Sequence, residues 1–235
     1  PGLVAIQQGA NLRIIADQLG NQWSLHATAG IGSCADLDGK RVGIYSEGST
    51  DAAMTRAWIS GNCPTATPDY LVMGDSTLRV TAMLEGQLDA TSLELSEAII
   101  LGEEGGDRFR ELADFSQELP GLKTGVVFAN ADFIAAQPDT VVALIRALIG
   151  QHERIGADPE YLRELVLTYL PEADPATLDP IIDAYLERGL YDATAVTPDS
   201  LAYTLAFFTD SGAIEPGLSV DDVADLSLLE RAMGA

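Results

Sequence analysis

The residues with most chemistry to offer lie at 46–50, where Ser46, Glu47, Gly48, Ser49 and Thr50 follow directly on the apolar run Arg41-Val-Gly-Ile-Tyr45. Three hydroxyls around a glycine, between a β-prone run and a helix-prone one, are the makings of a strand-to-helix turn. Such a turn binds small oxyanions. The first N–H groups of a helix lack intrahelical acceptors, and the aligned peptide dipoles leave partial positive charge there. A sulfonate, carboxylate or phosphate oxygen can then be held without a lysine. Ser46, Gly48, Ser49 and Thr50 are accordingly expected to contact an anionic head group; the plain alternative is an ordinary capped helix start. Glu47 is the misfit. Pointing to solvent it is harmless, whereas pointing inward it would favour a neutral or cationic ligand.

Two further turns share this pattern. Asp75-Ser76-Thr77 follow a strand and open a helix, so Ser76 and Thr77 are candidate ligand contacts, with helix capping by Asp75 or Ser76 as the alternative. Thr91, Ser92 and Glu94 follow another strand; Ser92 can donate a hydrogen bond, and Glu94 can accept from an amine or hydroxyl or serve only as an acidic first-turn residue. Trp23 and Tyr45 are the aromatics nearest the expected cleft and could stack on a ring or wall off an alkyl chain, with core packing the equal alternative for Trp23. Trp58, inside a helix, reads as core. His26 and His152 have no Cys, Asp or Glu at ligand spacing, so structural or solvated roles are expected, with no metal and no cofactor. No nucleophile has a recognisable base at hand, and the expectation is a protein that is not an enzyme. Cys34 lies just before the strand at 41–45 and Cys63 just after the helix that runs back along it, at the same end of the unit. They form either a disulfide, which implies an oxidising compartment, or two separate thiols.

The elements that position these groups alternate in α/β order. Strands are expected at 12–16, 23–27, 41–45, 70–73 and 89–92, and helices at 51–60, ended by Gly61, at 77–85 and at 94–101. A glycine-rich loop over 102–107 lacks the Gly-Lys-Ser/Thr ending of a phosphate loop. Extended segments follow near 109–113 and 125–129. From about residue 130 the chain turns helical, at 132–136, 138–155, 159–169, 175–188 and 198–210, each opened by Pro, Asp or Thr. Val141, Val142, Leu144, Ile145, Leu148 and Ile149 form a broad core-facing stripe on the longest of these. Lobe one is expected over 1–29 and 114–235 and lobe two over 30–113, with a ligand held between the lobes and closure by hinge motion.

Composition narrows the partners. The 235 residues carry 36 acidic against 13 basic side chains, a formal charge of −23, and Lys40 and Lys123 are the two lysines. A polyanion would be repelled, so nucleic acid is excluded as a partner. At 47% hydrophobic and 21% charged residues the balance is globular, and no run approaches the roughly 18 apolar residues of a membrane helix.

Four stretches together resemble the type II solute-binding proteins of ABC importers, in the branch serving alkanesulfonates, taurine, nitrate, aromatic acids and thiamine precursors. They are Gln7-Gln8-Gly9-Ala10-Asn11-Leu12-Arg13-Ile14-Ile15-Ala16; Ile31-Gly-Ser-Cys-Ala-Asp-Leu-Asp-Gly-Lys-Arg-Val-Gly43 with Gly48-Ser49-Thr50; Leu84-Glu-Gly-Gln-Leu-Asp-Ala90; and the closing segment 218–230. The resemblance implies a two-lobed α/β periplasmic-binding-protein type II fold lacking the N-terminal strands and helices of lobe one, roughly 70 residues if they amount to two βαβ-sized units. It also implies a monomeric periplasmic protein, or an extracellular membrane-anchored one, that delivers a small organic anion to an importer permease. An enzyme on the same fold acting on a sulfur or pyrimidine compound, or a ligand-sensing module, is the alternative.

Overall fold

The computed structural model describes residues 1–171 and 173–234. In chain order the elements are α1 (Gly2–Gln7), β1 (Leu12–Leu19), β2 (Ser24–Thr28), β3 (Arg41–Ile44), α2 (Thr50–Asn62), β4 (Asp69–Val72), α3 (Ser76–Leu84), β5 (Ala90–Leu93), α4 (Leu95–Gly105) and β6 (Phe109–Asp114). Then come α5 (Phe115–Glu118), β7 (Gly125–Asn130), α6 (Ala131–Ala136), α7 (Pro138–Ala157), α8 (Pro159–Tyr169), α9 (Pro175–Glu187), α10 (Pro198–Asp210), α11 (Val220–Val223) and α12 (Ser227–Met233). They divide into two compact units, Pro1–Asn21 with Gly121–Ala235, and Gln22–Pro120. The division falls earlier than residue 29 and later than residue 113, because β2 is a full member of the second unit's sheet.

In the first unit β1 and β7 pair antiparallel from Leu12↔Asn130 to Leu19↔Gly125. Ile14, Ile15 and Ala16 are fully or almost fully buried, and α12 packs against both β1 and α7. Ile155, Leu162, Leu178 and Ile182 make a separate cluster where α7, α8 and α9 meet. Proline occupies the first turn of α7, α8, α9 and α10, where its missing N–H costs no hydrogen bond. Within β1, Asp17 is buried and pairs with Lys123, Nζ to Oδ2 2.6 Å.

The second unit is a five-stranded sheet in the order β4-β3-β5-β2-β6. Its β3 runs parallel to β4 and β5, while β2 is antiparallel to β5 and β6. Each of the three parallel strands is followed directly by a helix, so the turns into α2, α3 and α4 gather at one edge of the sheet. That carboxyl edge is where open α/β sheets bind ligands. Leu25, Val42, Ile44, Ala90 and Leu93 form the sheet's buried surface. Cys34 and Cys63 form a disulfide with Cα atoms 5.9 Å apart, tying the chain before β3 to the end of α2.

Three local expectations change. Gly61 does not end α2, which runs on to Asn62; Cys63 closes the last turn by donating its N–H to Ile59 O at 2.7 Å. The segment 102–107 is not all loop: α4 continues to Gly105, and Gly106, at φ 54°, stops it. A Cβ at Gly105 would fall 2.2 Å from the Phe109 ring, so that glycine serves the packing of β6 onto the helix. Leu144 leaves the apolar stripe of α7 and is 56% exposed, because Val141, Val142 and Ile145 already fill the buried face.

Candidate functional site

The loop after β3 leaves the start of α2 open. Ser49 is the N-cap residue, yet its side chain makes no hydrogen bond to the helix. Its hydroxyl instead donates to Ser46 O at 2.6 Å and accepts the Ser46 N–H at 3.2 Å, folding the loop on itself. Ala53 is the first helical residue whose N–H reaches a backbone acceptor, Ser49 O at 3.0 Å. The N–H groups of Thr50, Asp51 and Ala52 are thus the orphan donors of the first turn, uncapped by any side chain. Gly48 is exposed, has no positive φ and would place a Cβ in open space. The fold itself does not require glycine there; close approach of a ligand to the backbone would.

The two acidic residues within the turn and the first turn of α2 are each matched by an arginine. Glu47 pairs with Arg56, two turns into α2, at 2.6 Å, and the Arg56 guanidinium lies 4.0 Å from the centre of the Tyr70 ring. Asp51 is 2% exposed. Its Oδ2 accepts the Tyr45 N–H at 2.9 Å and the Ser92 hydroxyl at 3.3 Å. It lies 3.8 Å from the guanidinium of Arg79, a side chain with no solvent exposure.

Arg79 was not legible as a site residue. It sits in α3 and also donates to Gly74 O, to the Ser76 hydroxyl at 3.2 Å and to Ser92 O at 3.2 Å. Burial lowers its pKa, opposed by the carboxylates of Asp51, Glu94, Asp75 and Glu97. Gly43 makes room for it: a Cβ there would stand 3.3 Å from Arg79 Cδ and 2.5 Å from Leu88 Cδ1. The available signal was an arginine sharing its helix face with Val80 and Met83 next to a strand glycine, a pattern that equally suits a solvated arginine.

The expected contacts therefore fall into two groups. Ser46, Gly48, Ser49 and Thr50 form the open turn, and the Tyr45 ring beside them is 52% exposed. Glu94 stands at the end of β5, next to β3, as the N-cap residue of α4, without a side-chain hydrogen bond to that helix. Its pKa is raised by burial and then by Glu97, with Asp51 adding to the rise and Arg79 opposing it. The hydroxyls of Ser76 and Ser92, by contrast, turn inward to Arg79 and Asp51. Asp75 caps α3 by accepting the Leu78 N–H at 2.9 Å, and Thr77 is exposed. Trp23 is half-buried just before β2, its carbonyl accepting the Phe115 N–H at 2.9 Å. His26 is half-buried with Nε2 2.8 Å from the Ser24 hydroxyl, and His152 packs edge-on against Tyr191. Among the described residues no group of three or more His, Cys, Asp or Glu side chains is placed to hold a metal, and no helix is long and apolar enough to cross a membrane.

Known proteins are similar to this chain in sequence and in fold. The family model described as "NMT1/THI5 like" matches residues 3–161. A curated relative from Streptomyces coelicolor, named 1,4-dihydroxy-6-naphtoate synthase, is 28% identical over 195 residues, which are 81% of this chain and 66% of the relative. The chain thus spans slightly under two thirds of that relative's length. Among solved structures, a ligand-binding component of an ABC-type import system from Staphylococcus aureus, solved with zinc bound, superposes with a TM-score of 0.79 at 14% identity. The match covers 98% of this chain and 77% of that one. The alkanesulfonate-binding protein SsuA from Xanthomonas axonopodis pv. citri, bound to MOPS, gives 0.71 at 19% identity over 95% of this chain and 77% of its own. At such identities these structures establish the fold, that of the type II solute-binding proteins. With its family model matched over more than half its length, the chain belongs to the NMT1/THI5-like family.

Proposed function

We propose that this chain is a solute-binding protein that takes a small organic anion at the N-terminus of α2 and delivers it to an ABC importer outside the cytoplasm. The observation that carries the reading is the uncapped first turn of α2, with Ser49 folded back onto Ser46 and the carboxylates of Glu47 and Asp51 each paired with an arginine, Arg56 and Arg79. Three backbone donors and the positive end of a 13-residue helix then face a ligand oxygen. The fold shared with sulfonate-binding importer components favours a sulfonate or carboxylate. The Cys34–Cys63 disulfide suits an oxidising compartment.

Calorimetry on the full chain with methanesulfonate, ethanesulfonate and octanesulfonate tests the reading. Saturable one-to-one binding of at least one, weakened at least tenfold when the anion is replaced by the corresponding neutral sulfone, is the expected result. No binding of any sulfonate or of the matching carboxylates would overturn it.

A second reading, an enzyme on the same fold, rests on the 28% identity to a synthase. The disulfide removes Cys34 as a nucleophile, which leaves the His26–Ser24 pair as the catalytic candidate. Mass spectrometry of a bound compound that changes on incubation, and no longer changes in His26→Ala, would favour it.

A further inference from the structure

A carboxylate in the first turn of a helix ordinarily occupies the positive end of the dipole itself. Asp51 stands at that position in α2, and left at the mouth it would compete with any anion for the same N–H groups. It is instead 2% exposed and aimed under the sheet edge. There it accepts, at 2.9 Å, the N–H of Tyr45, just past the end of β3.

The group facing it is Arg79, whose planar fork reaches the ends of all three parallel strands. It donates to Gly74 O, just past β4, and to Ser92 O, within β5. Through Asp51 Oδ2 at 3.8 Å it bears on Tyr45, just past β3. Ser76 and Ser92 complete the network with their hydroxyls. A lysine, with a compact ammonium, cannot span these acceptors in one plane. A buried pair of this kind adds little net stability over apolar residues of the same size, but it fixes one arrangement, and losing one partner strands the other's charge.

We propose that Arg79 and Asp51 are the positioning pair of the anion site: Arg79 turns the first-turn carboxylate of α2 inward, clamps three strand ends, and thereby gives the turn at 46–50 both its shape and its sign. This rests on the proposed anion-binding function, and the two are separable by experiment.

The test uses the full chain as wild type, Arg79→Lys, Arg79→Met and Arg79→Met/Asp51→Asn. Without ligand, amide hydrogen exchange over 45–50 is expected to speed up tenfold or more in Arg79→Lys, while exchange in β2 and β6 stays unchanged. With ligand, the preference for ethanesulfonate over the neutral ethyl methyl sulfone is expected to fall tenfold or more in Arg79→Met. It should recover in part in the double variant, where the stranded carboxylate is gone. A residue that merely holds the fold together would weaken both ligands alike. Unchanged exchange over 45–50, or unchanged preference in a folded Arg79→Met, overturns the positioning role. Should Arg79→Met not fold, Arg79→Lys decides both arms. A wild type that binds no sulfonate refutes the anion-site reading instead, and the exchange arm alone then decides whether the pair shapes the loop.

Discussion

Replacing Thr50 by proline removes one backbone donor from the site without removing the helix. Thr50 is the first residue of α2, the position where proline is favoured because its fixed φ suits the helix and its N–H would be unpaired. Ser49 already has φ −81° and ψ 157°, the extended region that a residue before proline must occupy. The fold should therefore accept the change and gain roughly 0.4–1 kcal/mol from the stiffer unfolded chain. Binding should move the other way. A hydrogen bond from the Thr50 N–H to an anionic oxygen contributes about 1.5–3 kcal/mol, and the proline ring also fills the space where that oxygen would lie. Affinity for a bound sulfonate should fall about 10- to 150-fold. Thr50→Ala keeps the N–H and loses only the hydroxyl, so it should fall short of the proline variant. Calorimetry at matched pH and salt measures the affinities, and urea unfolding measures the stabilities. A Thr50→Pro protein that is folded and binds like wild type would mean that the anion does not sit on this turn.

Other parts of the structure make separate predictions. Lys123→Met leaves Asp17 buried without its cation and should cost about 3–5 kcal/mol in urea unfolding, with Lys123→Met/Asp17→Asn recovering much of the loss; an unchanged midpoint in the single variant would contradict the pair. Opening the disulfide by Cys34→Ser/Cys63→Ser, across a separation of 29 residues, should cost about 3–4 kcal/mol by loop entropy, and native mass under non-reducing conditions should show no free thiol. The Glu94 carboxyl is raised above its ordinary 4.5, so between 4.5 and the raised value the folded state holds a proton that the unfolded state has released. Stability therefore falls as pH climbs through that window, and Glu94→Gln should flatten the fall. Sulfonate affinity should rise as pH drops through the same window in wild type, and stay level in Glu94→Gln.

Reading the sequence located the strand-to-helix turns because their signals are local. Hydroxyls, glycine and proline at element ends act through their own backbone, so α8 and α10 match at both ends the ranges expected of them. What the sequence could not show was which way side chains at those turns point. Ser76 and Ser92 look like ligand hydroxyls on paper, but they serve Arg79 and Asp51. That difference depends on a contact between residues 28 positions apart, created by strand order. Burial of an arginine has no local mark either: Arg79 fits α3 as an exposed residue would, and only Gly43 on the facing strand makes space for it. The same gap affected α4, where the glycines at 102, 105 and 106 read as a loop, although one of them is packed under Phe109.

A chain of formal charge −23 is an unpromising receptor for an anion, and the proposed function must answer that conflict at α2. Long-range repulsion from scattered surface carboxylates is damped within about 8 Å at physiological ionic strength. Short-range donors and charges within that distance then set the energy of a bound oxygen. The turn at 46–50 and the start of α2 carry three uncapped N–H groups and the carboxylates of Glu47 and Asp51, each matched by an arginine, one on the surface and one in the interior, while burial holds the nearby Glu94 carboxyl above its ordinary pKa. The surface pair, Arg56 with Glu47, is exposed and weak, so its loss should do little more than free Glu47. The interior pair cannot rearrange, because Arg79 is enclosed and its partners are strand ends. On the proposed reading the sign of the site would be set from beneath the loop, by the buried Arg79 and Asp51, while the surface around it is free to be acidic.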